Sequence, residues 1–173
     1  PSYTLAPEAR IAEITREAVA AVEAAAREVP GPIVLAGHSA GGHLAARAVC
    51  RDVAMDPGVR ARVRRVVSIS GVHDLRPLRR TAMNATLGLT EAEARAESPA
   101  LAEPVEGARL VAWVGAAERP EFRRQSALLA NVWAGLGAGT LAVEDPGRHH
   151  FDVIAALAEA ESPLVEAALG EGE

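Results

Sequence analysis

The chain has 173 residues, of which 49% are hydrophobic, and its 23 acidic and 18 basic side chains give a formal net charge of -5. That length suits one domain with a substantial core, and the acidic balance without a sustained basic stripe excludes nucleic acid as an expected partner. A single cysteine, Cys50, excludes an intrachain disulfide or a thiolate metal cluster, and no apolar run reaches the length of a membrane span, which points to a cytoplasmic protein.

Short β-branched runs alternate with alanine-rich helical stretches, the pattern of an α/β fold with a mostly parallel sheet and flanking helices. Tyr3-Thr4-Leu5 reads as a strand end, and Pro7 and Glu8 suit the first turn of a helix. Ile11, Ile14, Ala18, Val22, Ala25 and Val29 recur on one face of that helix until Pro30-Gly31-Pro32 stops it. A strand is expected over 33–36, then a helix over 44–55 that contains Cys50 and ends at Pro57-Gly58. Arg60, Arg62, Arg64 and Arg65 read as a solvated connection before a strand over 66–69. From 74 to 99 the expectation is turns and short helices at a pocket rim, with Thr90 and Glu93 as a capping box and Ser98-Pro99 as a breaker. A strand over 110–114, a helix opened by Pro120, a strand over 140–143 and a helix over 151–160 before Ser162-Pro163 complete the reading.

Gly37-His38-Ser39-Ala40-Gly41 is a G-x-S-x-G pentapeptide set between the apolar run at 33–36 and a helix. That context predicts a nucleophile elbow: a tight turn lifts the serine hydroxyl clear of the sheet, Gly37 and Gly41 leave room for it, and the Ala40 N–H can face a developing oxyanion. A serine hydroxyl needs an imidazole to take its proton, and the imidazole needs a carboxylate to hold its tautomer. In the expected chain order, acid then base, the histidines beyond the last strand are His149 and His150, and His150 is favoured because it directly precedes an apolar helix start. Glu118, just beyond the strand over 110–114, is the leading acid, with Asp74, Asp145 and Asp152 as competitors. His38 and His43 sit too close to the elbow to serve easily as its base; His38 suits a pocket lining and His43 a structural helix position. No H-E-x-x-H, G-x-G-x-x-G or phosphate-loop pattern occurs, so neither a metal nor an organic cofactor is expected.

Several segments together resemble the esterase and lipase branch of the α/β-hydrolases, in particular kynurenine formamidase (arylformamidase)-like proteins. They are Tyr3-Thr4-Leu5-Ala6-Pro7-Glu8 (the family's Y-R-L-A-P), Gly37-His38-Ser39-Ala40-Gly41-Gly42-His43-Leu44, Ser70-Gly71-Val72-His73-Asp74-Leu75, Leu87-Gly88-Leu89, Ser98-Pro99, the run from Glu118 to Ser126, and His150-Phe151-Asp152-Val153-Ile154. The resemblance implies Ser39 as nucleophile, Glu118 as acid, His150 as base and Ala40 as oxyanion donor, with His38 and His73 as candidates for the pocket. It implies hydrolysis of a small N-formyl arylamine such as N-formylkynurenine through an acyl-enzyme. A general carboxylesterase and a non-catalytic fragment that needs another polypeptide are the alternatives. Glutamate stands where many relatives have aspartate, and Thr4 replaces the usual arginine. Relatives also carry an H-G-G motif upstream of the Y-R-L-A-P segment, so the expectation is a single domain over 1–173 that is the C-terminal portion of the fold. Its partners are expected to be a small acyl or formyl substrate and either a second copy or the missing N-terminal polypeptide.

Overall fold

In the computed structural model, which describes residues 1–170, four strands form one parallel sheet. β1 (Ile33–His38), β2 (Val63–Ile69), β3 (Arg109–Gly115) and β4 (Gly139–Asp145) lie side by side in chain order. Parallel neighbours cannot be joined by a hairpin, so each connection crosses over through helical structure. The helices are α1 (Ile11–Glu28), α2 (Ala40–Arg47), α3 (Pro57–Arg60), α4 (Asn84–Leu87), α5 (Glu91–Ala96), α6 (Pro120–Gly135) and α7 (Pro163–Leu169). Shorter 3₁₀ turns cover Arg76–Arg80, Pro99–Leu101 and Val153–Ala158. Among the described residues, no helix is long and apolar enough to cross a membrane.

The period-two alternation of the strands divides the core into two layers. Val66, Leu110 and Ala112 face the layer built with Val19 of α1, Ala45 and Ala46 of α2, and Leu129 and Trp133 of α6. Val67, Ile69, Val111 and Trp113 point the other way, onto Val153 and Ala156 of the last 3₁₀ turn and Leu164 and Ala168 of α7. In register, His38 is level with Ile69, Ile69 with Trp113, and Gly115 with Asp145. All four strands therefore release their chains at one edge of the sheet, where open α/β sheets hold their ligands.

Several element boundaries differ from the sequence expectations, each for a local reason. Residues 3–5 form no strand; the Thr4 N–H and hydroxyl instead donate to the Glu17 carboxylate (2.6 and 3.0 Å). α1 begins at Ile11 because Glu13 turns back to accept the Arg10 N–H (2.7 Å), which leaves Pro7 in a separate turn. The helix after the serine stops at Arg47, since the following segment pairs with another: Cys50 bridges Pro104, and Val105 N–H donates to Val49 C=O (3.0 Å). Pro57 opens α3 behind the Asp56 cap instead of ending a helix, and Ser162-Pro163 likewise opens α7, which the sequence reading did not anticipate.

Of the basic cluster only Arg64 is exposed to solvent; the others reach backbone carbonyls, Arg60 that of Val53. Arg62 donates to the last carbonyls of α1 at Ala26 (2.7 Å), and Arg65 on β2 to those of α7 at Ala167 (2.6 Å) and Gly170 (3.0 Å). Cations there satisfy orphan carbonyls and oppose the negative end of the helix dipole. Only half of the expected capping box at α5 forms: Thr90 accepts the Glu93 N–H (3.2 Å), while the Glu93 carboxylate is taken by Arg10.

Candidate active site

Ser39 occupies the turn between β1 and α2 with φ 55° and ψ −116°, a conformation costly for any residue with a side chain. Gly37 makes the turn possible, because a Cβ there would lie 2.1 Å from the Gly41 carbonyl oxygen. Gly41, expected to be equally crowded, has nothing within 4 Å of such an atom; the second tight position is Gly42, 2.7 Å from Ser68 Oγ and 3.0 Å from Gly71 Cα. Ala40 is the first residue of α2, so its N–H is one of the four at a helix start without an intrahelical acceptor. A cleft of about 450 Å³ adjoins Ala40 and is walled mainly by Leu5, Ile11, Ile14, Leu44, Met83 and Leu87.

His150 comes from the loop after β4 and Glu118 from the loop after β3. Their approach is fixed by backbone: Ala117 N–H donates to Arg148 C=O (3.0 Å) and Ala116 N–H to Asp145 C=O (2.8 Å). Gly115 packs so closely against Arg148 that a Cβ would lie 2.2 Å from its carbonyl oxygen. His150 Nδ1 donates to Glu118 Oε2 (2.7 Å), which leaves Nε2 as the acceptor for the Ser39 hydroxyl (3.2 Å). The Glu118 side chain has no exposed surface, and its Oε1 accepts from the Gly115 N–H (2.9 Å) and from the Ser70 hydroxyl. The His150 side chain keeps 18% of its surface exposed. Phe122 of α6 stacks on its ring at 4.1 Å, and Phe151 meets it edge-on at 5.3 Å. The hydroxyl, imidazole and carboxylate thus form one continuous hydrogen-bonded chain with an open face.

The other candidates stand outside this hydrogen-bonded chain, although the His38 ring lies 4.6 Å from that of His150. His38 Nε2 donates to the His150 carbonyl (2.7 Å), so it braces the loop that carries the imidazole; partial burial lowers its pKa. His73 has no exposed surface and so lines no pocket: its Nε2 meets Ser68 Oγ (3.0 Å), and burial pushes its pKa down to about 3. His149 is exposed and close to Asp152, whose carboxylate accepts the His149 N–H (2.6 Å). Asp145 accepts from Trp113 Nε1 (3.3 Å), and Asp74 is engaged by Arg76, whose guanidinium lowers the carboxyl pKa. Among the described residues, no three His, Cys, Asp or Glu side chains converge as a metal site. Ser70 opens one of the segments that carry the family resemblance, Ser70-Gly71-Val72-His73-Asp74-Leu75, but the sequence assigns it no role; its position directly after a central strand is the further signal.

Comparison with known proteins places this geometry in context. A family model described as the alpha/beta hydrolase fold matches residues 1–151. A crystal structure of a protein from Silicibacter sp. tm1040, provisionally assigned as a thioesterase, shares 48% identity at a TM-score of 0.90, with 97% of this chain and 62% of that one covered. Kynurenine formamidase of Salmo salar is 28% identical over 95% of this chain and 58% of its own length. An esterase/lipase from an uncultured bacterium has the same fold at a TM-score of 0.69 and 20% identity, with 87% of this chain and 56% of that chain covered. The chain therefore spans somewhat over half the length of each of these proteins.

Proposed function

The chain belongs to the alpha/beta hydrolase fold family, and on that premise we propose that it is a serine hydrolase in which Ser39 is the nucleophile, His150 the general base and Glu118 the orienting acid. The observation that carries this reading is the Ser39–His150–Glu118 hydrogen-bonded chain. His150 Nε2 takes the hydroxyl proton as Ser39 Oγ attacks the substrate carbonyl, and the buried Glu118 carboxylate stabilises the imidazolium that forms. The Ala40 N–H donates to the oxyanion. The tetrahedral intermediate collapses as the imidazolium protonates the leaving amine, alcohol or thiol, and an acyl-enzyme remains on Ser39. Water activated by the same imidazole then releases the acid and restores the serine. The 3.2 Å separation is long for such a bond, as is common before substrate tightens the site.

The proposed substrate is a small N-formyl arylamine of the N-formylkynurenine type, with the aryl group against the apolar cleft beside Ala40. Support comes from the similarity to the salmon kynurenine formamidase. A second reading, hydrolysis of an ester or thioester, is favoured by the 48% identity to the Silicibacter protein. Turnover of N-formylkynurenine, a short aryl ester and a short acyl thioester, measured side by side, separates the two readings. Ester or thioester turnover with negligible formamide hydrolysis rejects the formamidase reading. Labelling by a serine-directed phosphonate tests the mechanism beneath both: reaction at Ser39 that Ser39→Ala abolishes is the expected result. A wild-type chain that does not label rejects autonomous catalysis.

A further inference from the structure

Among the described residues, only two that are not glycine have a positive φ, Ser39 at 55° and Ser70 at 51°. Both directly follow a strand, β1 and β2, at the edge where the candidate site lies. Left-handed backbone at a residue with a Cβ costs about 1 kcal/mol or more and persists only where its surroundings enforce it. At Ser39 the strain presents a hydroxyl to His150. At Ser70 it presents one to Glu118.

Ser70 is fully buried, and its N–H is held by the Trp113 carbonyl (2.7 Å), so the residue is anchored to β3. Its hydroxyl donates to Glu118 Oε1, the oxygen that also accepts the Gly115 N–H (2.9 Å). With two donors on Oε1, the carboxylate cannot rotate without breaking both, and Oε2 is left facing His150 Nδ1 at 2.7 Å. Glu118 sits three residues beyond β3 on a side chain one methylene longer than aspartate, so it needs more restraint than the shorter acid would. We infer that Ser70 is a positioning residue: its strained backbone and buried hydroxyl lock the Glu118 carboxylate in the orientation that keeps the His150 tautomer correct. This rests on the hydrolase reading above.

Two substitutions separate hydroxyl from strain. Ser70→Ala keeps the strain and removes the donor; Ser70→Gly removes both, since glycine accepts this φ freely. Ser126→Ala on α6 is the control for losing a buried serine, because the Ser126 hydroxyl has no partner. The measurements are phosphonate labelling rate at Ser39 and turnover of a p-nitrophenyl ester, each across pH. Both Ser70 variants are expected to react about tenfold more slowly with KM changed less than about twofold. The shape of the pH–rate profile should change as well, because the imidazole whose protonation gates attack is then held by a carboxylate free to turn. A purely structural role would lower stability without changing that shape, and Ser126→Ala should leave rate and profile unchanged. Wild-type labelling with both Ser70 variants matching it in rate and profile overturns the positioning role alone. A wild-type chain unreactive at Ser39 overturns the hydrolase reading, and the positioning role with it.

Discussion

Two polar clusters lie along α2, and they are made of the same functional groups. At its N-terminal end, the Ser39 hydroxyl donates to His150, which donates to Glu118. Along its body, Thr15, His43 and Glu97 supply another hydroxyl, imidazole and carboxylate, all buried. There the wiring differs. His43 Nε2 donates to the Glu97 backbone carbonyl (2.7 Å), and the Thr15 hydroxyl donates to the carboxylate itself (3.1 Å). No imidazole lies between hydroxyl and acid, so no proton can pass as it could at Ser39. The second acid is also neutralised by Arg47, whose Nε lies 3.3 Å from Glu97 Oε2 and whose terminal nitrogens hold Asp52 at 2.7 Å each. Burial works against the Arg47 charge, but Asp52 and Glu97 outweigh it and hold the guanidinium pKa above its usual value. What sets the Ser39 cluster apart is therefore not its functional groups but the order of its donors, a carboxylate with no cation beside it and an open face, and the proposed function rests on these.

The largest effect should come from altering the first cluster's order without changing its shape. In Glu118→Gln, the donors from Ser70 and Gly115 select the amide oxygen at the Oε1 position, which turns the amide NH₂ toward His150 Nδ1. The imidazole must then carry its proton on Nε2, where it can no longer accept from Ser39. Phosphonate labelling is expected to fall about 10³- to 10⁴-fold, the scale of a wrong-tautomer triad, while the denaturation midpoint stays near that of the wild type. A labelling rate within tenfold of wild type would break the comparison, since it would make the carboxylate dispensable in the cluster that differs by having no cation beside it.

Arg47→Met should do the reverse. It leaves Glu97, 7% exposed, without its cation, and removing one partner of a buried pair costs about 3–5 kcal/mol. Urea denaturation should show the loss, and labelling at Ser39 should continue at the wild-type rate wherever the variant is folded. A loss of reactivity in folded protein would mean that the two clusters are coupled through α2.

Acid should act on the interior before it acts on contacts at the surface. Burial pushes the pKa of His43 down to about 4 and that of His73 to about 3, from an ordinary value near 6.5. Below that ordinary value the unfolded chain binds protons that the folded chain refuses. Stability is therefore fully present above about pH 6.5 and falls as the pH drops through about 4 for His43 and about 3 for His73. The slope approaches about 1.4 kcal/mol per pH unit for each group within its window. Denaturation midpoints measured from pH 7 to pH 4 should show this decline, and His43→Asn should reduce its slope by about half, leaving the share of His73.

The two clusters were also unequally legible in the sequence. Ser39 stands out because its requirements are local: a strand, a glycine that cannot bear a Cβ and a helix start lie within a few residues. Glu118 and His150 follow from chain order and the strands before them, and the parallel register brings those strand ends together. Ser70 and the Arg47 cluster have no such pattern, because their partners lie on distant segments: Glu118 for one, Glu97 and Thr15 for the other. The same limit explains the helix expected over 44–55. Its apolar run satisfied helical periodicity, but Cys50 and Val49 pair with the strand-like stretch near Pro104, a contact no local rule contains. Prolines misled in the opposite way. By sequence Pro57 marks a helix end and Pro163 follows one, yet each stands behind a capping side chain, Asp56 or Ser162, and begins a helix.

The smallest expected effect tests where the elbow is constrained. Gly37 meets the Gly41 carbonyl from the strand side, while a Cβ on Gly41 itself would enter open space. Gly41 lies within α2, where glycine is about 1 kcal/mol poorer than alanine as a helix former. Gly41→Ala should therefore raise stability by about 0.5–1 kcal/mol, through the lower backbone entropy of the unfolded chain. The second glycine of the G-x-S-x-G pattern would then owe nothing to folding, and any accompanying loss of turnover would come from a methyl group placed beside bound substrate. Measuring both quantities on the one variant decides this. Destabilisation of more than about 1 kcal/mol would mean that the turn is gripped from both sides, and that the N-terminal end of α2 is held as tightly by its backbone as its body is by Arg47.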